Sequence, residues 1–135
     1  MAATAQSLSD RATTSARRIL VVDDNVDAAM SLAQLLELDG HESQAVYGAL
    51  EALESASQFR PEIVLLDIGL PEMNGYEVAR RLREMGQLGS LPPMKLIALT
   101  GYGHSDDKAR AFAAGFDAHL AKPVDLTALE RMLAL

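Results

Sequence analysis

The sequence predicts an α/β fold: a doubly wound, five-stranded parallel sheet with five helices on its two faces. Short apolar runs, typical of strands buried on both faces, alternate with longer segments whose apolar residues recur at helical spacing. This alternation repeats five times, which indicates parallel strands joined by crossover helices. Four of the apolar runs end in carboxylate, hydroxyl or amine side chains, as expected where parallel strands form a binding edge.

The predicted strands differ in polarity, and this difference indicates their places in the sheet. Four consecutive apolar residues precede Asp67, so this third strand is expected at the buried centre. The second strand is more polar and is expected at an edge. In chain order, strands are predicted at residues 17–22, 43–47, 62–67, 94–100 and 118–122.

Capping and stop signals set the limits of the predicted helices. The first helix ends before Asp39 and Gly40, and the second ends before Pro61. Ser105 is expected to cap the fourth helix and Asp125 the fifth. In chain order, helices are predicted at residues 25–38, 49–59, 74–85, 105–114 and from residue 126 onward, with residues 86–93 as a loop.

The apolar residues of each helix are predicted to face the sheet. In the first helix these residues are Val26, Met30, Leu32, Ala33, Leu35 and Leu36. In the third and fifth helices they are Tyr76, Val78, Ala79, Leu82, Leu126, Leu129, Met132 and Leu133. The charged residues expected to face water on the third helix are Arg80, Arg81, Arg83 and Glu84.

Length and composition indicate one soluble domain. The 135 residues suit a single core, and the absence of cysteine excludes disulfides, thiolate metal sites and a cysteine nucleophile. The net charge of -7 argues against binding to nucleic acid or to an anionic membrane. No apolar run approaches the ~20 residues of a membrane span, and a cytoplasmic protein is expected.

Residues 1–17 are expected to form a disordered tail, with residues 18–135 as the folded domain. The tail is small, polar and aperiodic, without the apolar centre of a secretory signal. Its Ser, Thr and Arg content, with Asp10 as the only acid, also resembles an organellar transit peptide. A remnant of a linker is a further alternative.

Five polar side chains lie at the carboxyl ends of the predicted strands: Asp23, Asp24, Asp67, Thr100 and Lys122. They are expected to meet, because the carboxyl ends of parallel strands lie at one edge of the sheet. Three converging carboxylates require either protonation or a cation, and oxygen-only ligands suit Mg²⁺. With a hydroxyl and an ammonium beside them, they predict a site where Asp67 receives a phosphoryl group. Each residue alone is explained equally well as a helix cap, a turn residue or a surface amine; their shared position favours the site.

Four motifs in this sequence resemble those of the receiver domain of two-component response regulators, of the chemotaxis-regulator type. They lie at residues 21–25 (Val-Val-Asp-Asp-Asn), 65–75 (from Leu-Leu-Asp to Met-Asn-Gly), 97–101 (Ile-Ala-Leu-Thr-Gly) and 121–123 (Ala-Lys-Pro). The resemblance covers residues 18–135 and implies a flavodoxin-like sheet with strand order 2-1-3-4-5. The stretch Leu-Thr-Gly-Tyr-Gly is also similar to receivers associated with hybrid histidine kinases.

The resemblance implies a role for each residue of the acidic site. Asp67 would be the phospho-acceptor. Asp24 and Asp67 would bind Mg²⁺ through their side chains, Gly69 through its backbone carbonyl, and Asp23 through water. The phosphoryl donor would be a phosphohistidine on a histidine kinase or on a histidine phosphotransfer protein.

The resemblance also implies how the phosphoryl group is held and sensed. Thr100 and Lys122 would contact the phosphoryl oxygens, and Thr100 and His119 would form a conformational switch. Many relatives have Tyr or Phe at the position of His119. The Lys122–Pro123 bond is expected to be cis, and the output surface is expected on the fourth helix, fifth strand and fifth helix. Tyr102 is expected either to shield the acceptor from water or to point to solvent.

Two other classes of protein share this fold. An aspartyl-phosphate phosphatase commonly carries a second acid two residues after its nucleophile, where this chain has Gly69. A flavodoxin-like cofactor binder needs a phosphate loop after the first strand, where Asp23 and Asp24 would repel phosphate. The expectation is therefore a signalling domain, not an enzyme, which catalyses only its own phosphorylation and dephosphorylation; the sequence does not specify its downstream target.

Overall fold

The computed structural model describes residues 16–71, 73–89, 91–101 and 105–133. Within these residues five strands form one sheet: β1 (Arg18–Val22), β2 (Glu42–Val46), β3 (Ile63–Asp67), β4 (Lys95–Thr100) and β5 (Ala118–Ala121). All are parallel, in the order β2-β1-β3-β4-β5, as the resemblance predicted. The predictions that β3 lies at the centre and β2 at an edge are confirmed. The predicted tail lies outside the described residues, apart from its last two.

Five helices in the described part of the chain cover both faces of the sheet: α1 (Val26–Leu38), α2 (Ala49–Phe59), α3 (Gly75–Gln87), α4 (Ser105–Ala114) and α5 (Leu126–Leu133). α1 and α5 build one core with Ile63 and Leu65 of β3. α2, α3 and α4 build the other core with Val64 and Leu66. Successive residues of β3 therefore serve opposite cores, as a doubly wound sheet requires. None of the helices described is both long and apolar enough to cross a membrane.

The buried face of α1 is narrower than its apolar pattern predicted. Of the residues expected to face the sheet, Leu32, Ala33 and Leu36 are buried together with Ala29. The prediction is wrong for Val26, Met30 and Leu35, which are 44%, 44% and 43% exposed. It is also wrong for Leu126 of α5, which is 36% exposed. These side chains lie on the flanks of their helices, beyond the reach of the sheet.

Two predictions for α3 are corrected by the structure. The helix continues to Gln87, so Gly86 is helical, and Gly89 adopts the left-handed conformation (φ 81°) that follows its end. Arg83 does not simply face water: its guanidinium donates to the Gly115 carbonyl at 2.9 Å and pairs with Asp117 at 2.7 Å. These bonds hold α3 against the segment between α4 and β5.

Candidate functional site

Asp67 is the last residue of β3 and lies at the centre of the carboxyl edge of the sheet. Although charged, it is only 6% exposed, because β1 and β4 flank it. Its Oδ1 accepts the backbone N–H of Gly69 at 2.9 Å. The next peptide is tied to β4, since the Ile68 N–H donates to the Leu99 carbonyl at 3.2 Å. The acceptor carboxylate predicted from the sequence is thus both buried and oriented.

Two further carboxylates follow β1 beside Asp67. Asp23 is buried and Asp24 is exposed. The Asn25 N–H donates to Asp23 Oδ1 at 3.0 Å, so the start of α1 orients this carboxylate. One oxygen from each of Asp23, Asp24 and Asp67 lies within 4.8 Å of the other two. Three carboxylate oxygens at this spacing, one of them open to solvent, form a donor set that fits Mg²⁺.

Lys122 neutralises part of this acidic cluster. It follows β5 directly, and its Nζ lies 3.0 Å from Oδ2 of Asp23 and 3.0 Å from Oδ2 of Asp67. Burial by itself lowers the pKa of Lys122, but the hydrogen bonds and charges of the two carboxylates outweigh it, so this pKa is raised above its ordinary value. The amine is therefore a cation at neutral pH. The Lys122–Pro123 bond that follows it is cis, as predicted.

Thr100 ends β4 next to the acidic cluster, but its hydroxyl is turned toward β5. The side chain is buried, and Oγ1 donates to the Leu120 carbonyl at 3.4 Å, a long hydrogen bond. His119 is half-buried on β5 and pairs in register with Ala98, two residues before Thr100. Because residues two apart on a strand share a face, Thr100 and His119 lie on the same side of the sheet. Tyr102 lies outside the described residues.

The sequence did not indicate a groove of about 290 Å³ that opens beside the cluster, between α1 and α5. Asp23 and Lys122 are among the residues that line it. Its sides are largely apolar and include Leu35, Val124 and Leu126. The available signal was an apolar stripe on α1 wider than one buried face requires, because one of the surplus residues, Leu35, lines this groove.

The fold and the site define a doubly wound α/β protein with a candidate divalent-metal site of three carboxylates beside a lysine. Residues 19–134 match the model of the response regulator receiver domain, and the chain belongs to this family. The family inferred from the four sequence motifs is therefore confirmed.

Three relatives illustrate the range of the family. The polar-differentiation response regulator DivK of Brucella anthropi is 32% identical over 110 residues, which are 82% of this chain and 87% of that protein. The receiver domain of the Saccharomyces cerevisiae regulator Ssk1, solved with the histidine phosphotransfer protein Ypd1, superposes with a TM-score of 0.79 at 27% identity. The superposition covers 87% of this chain and 86% of that one. A Burkholderia pseudomallei response regulator, solved with a phosphorylated aspartic acid, a calcium ion and citrate, superposes with a TM-score of 0.77 at 28% identity. The superposition covers 87% of this chain and 66% of that one.

Proposed function

We propose that this receiver domain accepts a phosphoryl group on Asp67 in a reaction that requires Mg²⁺. The observation that carries the proposal is the convergence of Asp67, two further carboxylates and the Lys122 ammonium at one edge of the sheet. The relative from Burkholderia pseudomallei with a phosphorylated aspartic acid supports it. The domain acts on itself, so the reaction is a signalling step and not turnover of an external substrate.

Each side chain of the cluster would have a different role in the phosphoryl transfer. An oxygen of Asp67 attacks the phosphorus while the phosphorus–nitrogen bond of a phosphohistidine breaks and the imidazole leaves with its electron pair. Asp23, Asp24, Asp67 and the Gly69 carbonyl would hold Mg²⁺, which when bound neutralises charge on the phosphoryl oxygens. Lys122 already faces Asp67 and is placed to neutralise more of that charge.

Thr100 would report the phosphoryl group to the rest of the domain. Its long bond to the Leu120 carbonyl is easily exchanged for a charge-assisted bond to a phosphoryl oxygen. Such an exchange would free space on the face that Thr100 shares with His119, and His119 would turn toward it. The change is a shift between two populated arrangements. The output surface would then be α4, β5 and α5, as predicted from the sequence.

The donor would be a phosphohistidine on a histidine kinase or a histidine phosphotransfer protein, which docks along the groove between α1 and α5. The groove is continuous with the cluster, since Asp23 and Lys122 line both. A donor that presents its histidine to Asp67 from this side would place neighbouring side chains against Leu35 and Leu126. The complex formed by the yeast relative and a histidine phosphotransfer protein supports a donor of this class.

Intact mass spectrometry after incubation with acetyl phosphate tests the acceptor. The parent should gain one phosphate in Mg²⁺ and none in EDTA, and Asp67→Asn should gain none. Asp27→Asn, which removes an exposed carboxylate from the first turn of α1, is the matched control and should behave like the parent. A phosphate adduct on Asp67→Asn, or labelling in EDTA equal to that in Mg²⁺, would refute the proposal.

A further inference from the structure

Gly75, the first residue of α3, lies directly against the peptide that follows the acceptor. A β-carbon at this position would lie 2.5 Å from Ile68 Cα and 2.7 Å from the Asp67 carbonyl oxygen. Both contacts are with backbone, which cannot move aside as a flexible side chain would. Gly75 is not among the glycines with positive φ, so its backbone conformation would accept alanine. The requirement for glycine is therefore one of space.

The contact joins the start of α3 to the acceptor strand. The Gly75 N–H donates to the Ile68 carbonyl at 3.1 Å, and the Ile68 N–H donates to the Leu99 carbonyl of β4 at 3.2 Å. The backbone around Ile68 is thus held from α3 on one side and from β4 on the other. Asn74 fixes the start of the helix, because its side chain accepts the Glu77 N–H at 3.1 Å.

We propose that Gly75 is a positioning residue for phosphoryl transfer, an inference that rests on the function proposed for Asp67. By letting α3 sit on the backbone of Asp67 and Ile68, it sets the direction of the acceptor carboxylate and the place of the Gly69 segment. A β-carbon 2.5 Å from Ile68 Cα is about 1 Å closer than the carbon–carbon contact distance, so a methyl group there would push the two segments apart by about that much. A misplacement of that size at a reacting group costs about 100-fold in rate.

The test compares Gly75→Ala with Gly86→Ala, a second glycine in the same helix. A β-carbon at Gly86 would meet nothing within 4 Å, so this variant adds the same methyl group to α3 without a clash. Phosphorylation by acetyl phosphate is followed at saturating donor and Mg²⁺, and the dissociation constant for Mg²⁺ is measured by calorimetry. For Gly75→Ala we expect a maximal rate about 10- to 100-fold lower and weaker Mg²⁺ binding. Gly86→Ala should match the parent in both measurements.

A purely structural role would lower the melting temperature of Gly75→Ala but leave its maximal rate and Mg²⁺ affinity at parental values, and that result would overturn the inference. If Gly75→Ala does not fold, Asn74→Ala tests the positioning role in its place, because it loosens the start of α3 without adding a clash. A several-fold lower rate in that variant supports positioning, and an unchanged rate refutes it. Measurements on the unsubstituted protein distinguish the failure of this inference from the failure of the proposed function. If the unsubstituted protein forms no phosphate adduct, phosphorylation of Asp67 is refuted. If it and Gly75→Ala are phosphorylated at equal rates, only the role of Gly75 is refuted.

Discussion

Replacing Lys122 with methionine should make the stability of the fold depend more strongly on Mg²⁺. In the parent, the Lys122 ammonium lies 3.0 Å from an oxygen of Asp23 and 3.0 Å from one of Asp67, and both acids are buried. Methionine keeps the length and apolar stem of the side chain but removes the charge. The variant therefore leaves two buried carboxylates without their cation, a state that only another cation or protonation relieves.

The size of the effect follows from the geometry. One pair at 3.0 Å has a Coulomb energy of about 5 kcal/mol at an effective dielectric constant near 20. Desolvation of the amine and solvent screening offset most of this energy, because 33% of the Lys122 side chain is exposed. We expect a net loss of about 2 kcal/mol in the free energy of unfolding without Mg²⁺. For a domain of 135 residues this corresponds to a melting temperature lower by about 6–8 °C.

Mg²⁺ should restore most of the lost stability, because a divalent ion replaces the missing charge. By linkage, a recovery of about 2 kcal/mol means roughly 30-fold tighter Mg²⁺ binding by the variant. Urea denaturation followed by circular dichroism, in EDTA and in Mg²⁺, measures both quantities. Lys95→Met is the control, since Lys95 donates at 2.8 Å to the Met132 carbonyl and does not contact the cluster. If Mg²⁺ stabilises Lys122→Met no more than the parent, the proposed electrostatic role of Lys122 is wrong.

Three further predictions address docking, phosphoryl lifetime and pH. Leu35→Asp should slow transfer from a phosphorylated histidine phosphotransfer protein but not from acetyl phosphate; equal slowing with both donors would contradict docking in the groove. Gly69→Asn should shorten the lifetime of the phosphoprotein, measured as phosphate loss over time, because a β-carbon fits 3.5 Å from Asp67 Oδ1 and the amide can orient water; an unchanged or longer lifetime would refute this. Burial lowers the pKa of His41; the charge of Asp39 opposes this effect and the charge of Arg17 adds to it. The unfolded state therefore binds a proton at His41 more readily than the folded state does. The folded state consequently loses stability as the pH falls below about 6.5, the ordinary pKa of histidine. Urea denaturation should show a smaller loss in His41→Gln than in the parent between pH 7.5 and pH 5.5, and equal losses would exclude His41 as the cause.

The sequence predicted the fold and most of the candidate site because both depend on local patterns. An apolar run that ends in a carboxylate places Asp67 at the sheet edge whatever surrounds it, and the same holds for Lys122. The bonds of Arg83 were not predictable, since they join residues more than 30 positions apart along the chain. The exposure of Leu35 was missed because helical spacing shows which residues are apolar but not how far the sheet reaches. The requirement for Gly75 depends on a backbone contact that no composition or periodicity reveals.

The proposed chemistry and the proposed docking surface lie on different parts of the structure. The groups proposed to react lie at the carboxyl ends of β1, β3 and β5, and the sheet holds Asp67 and Lys122 in place. The lining of the groove beside them includes Leu35 and Leu126, two helix residues that are 43% and 36% exposed and belong to neither core. Substitutions at Leu35 and Leu126 are therefore expected to cost little stability and to leave the carboxylates in place. If the donor docks as proposed, changes in the two helices would alter the choice of phosphoryl donor while the site at the sheet edge stays the same.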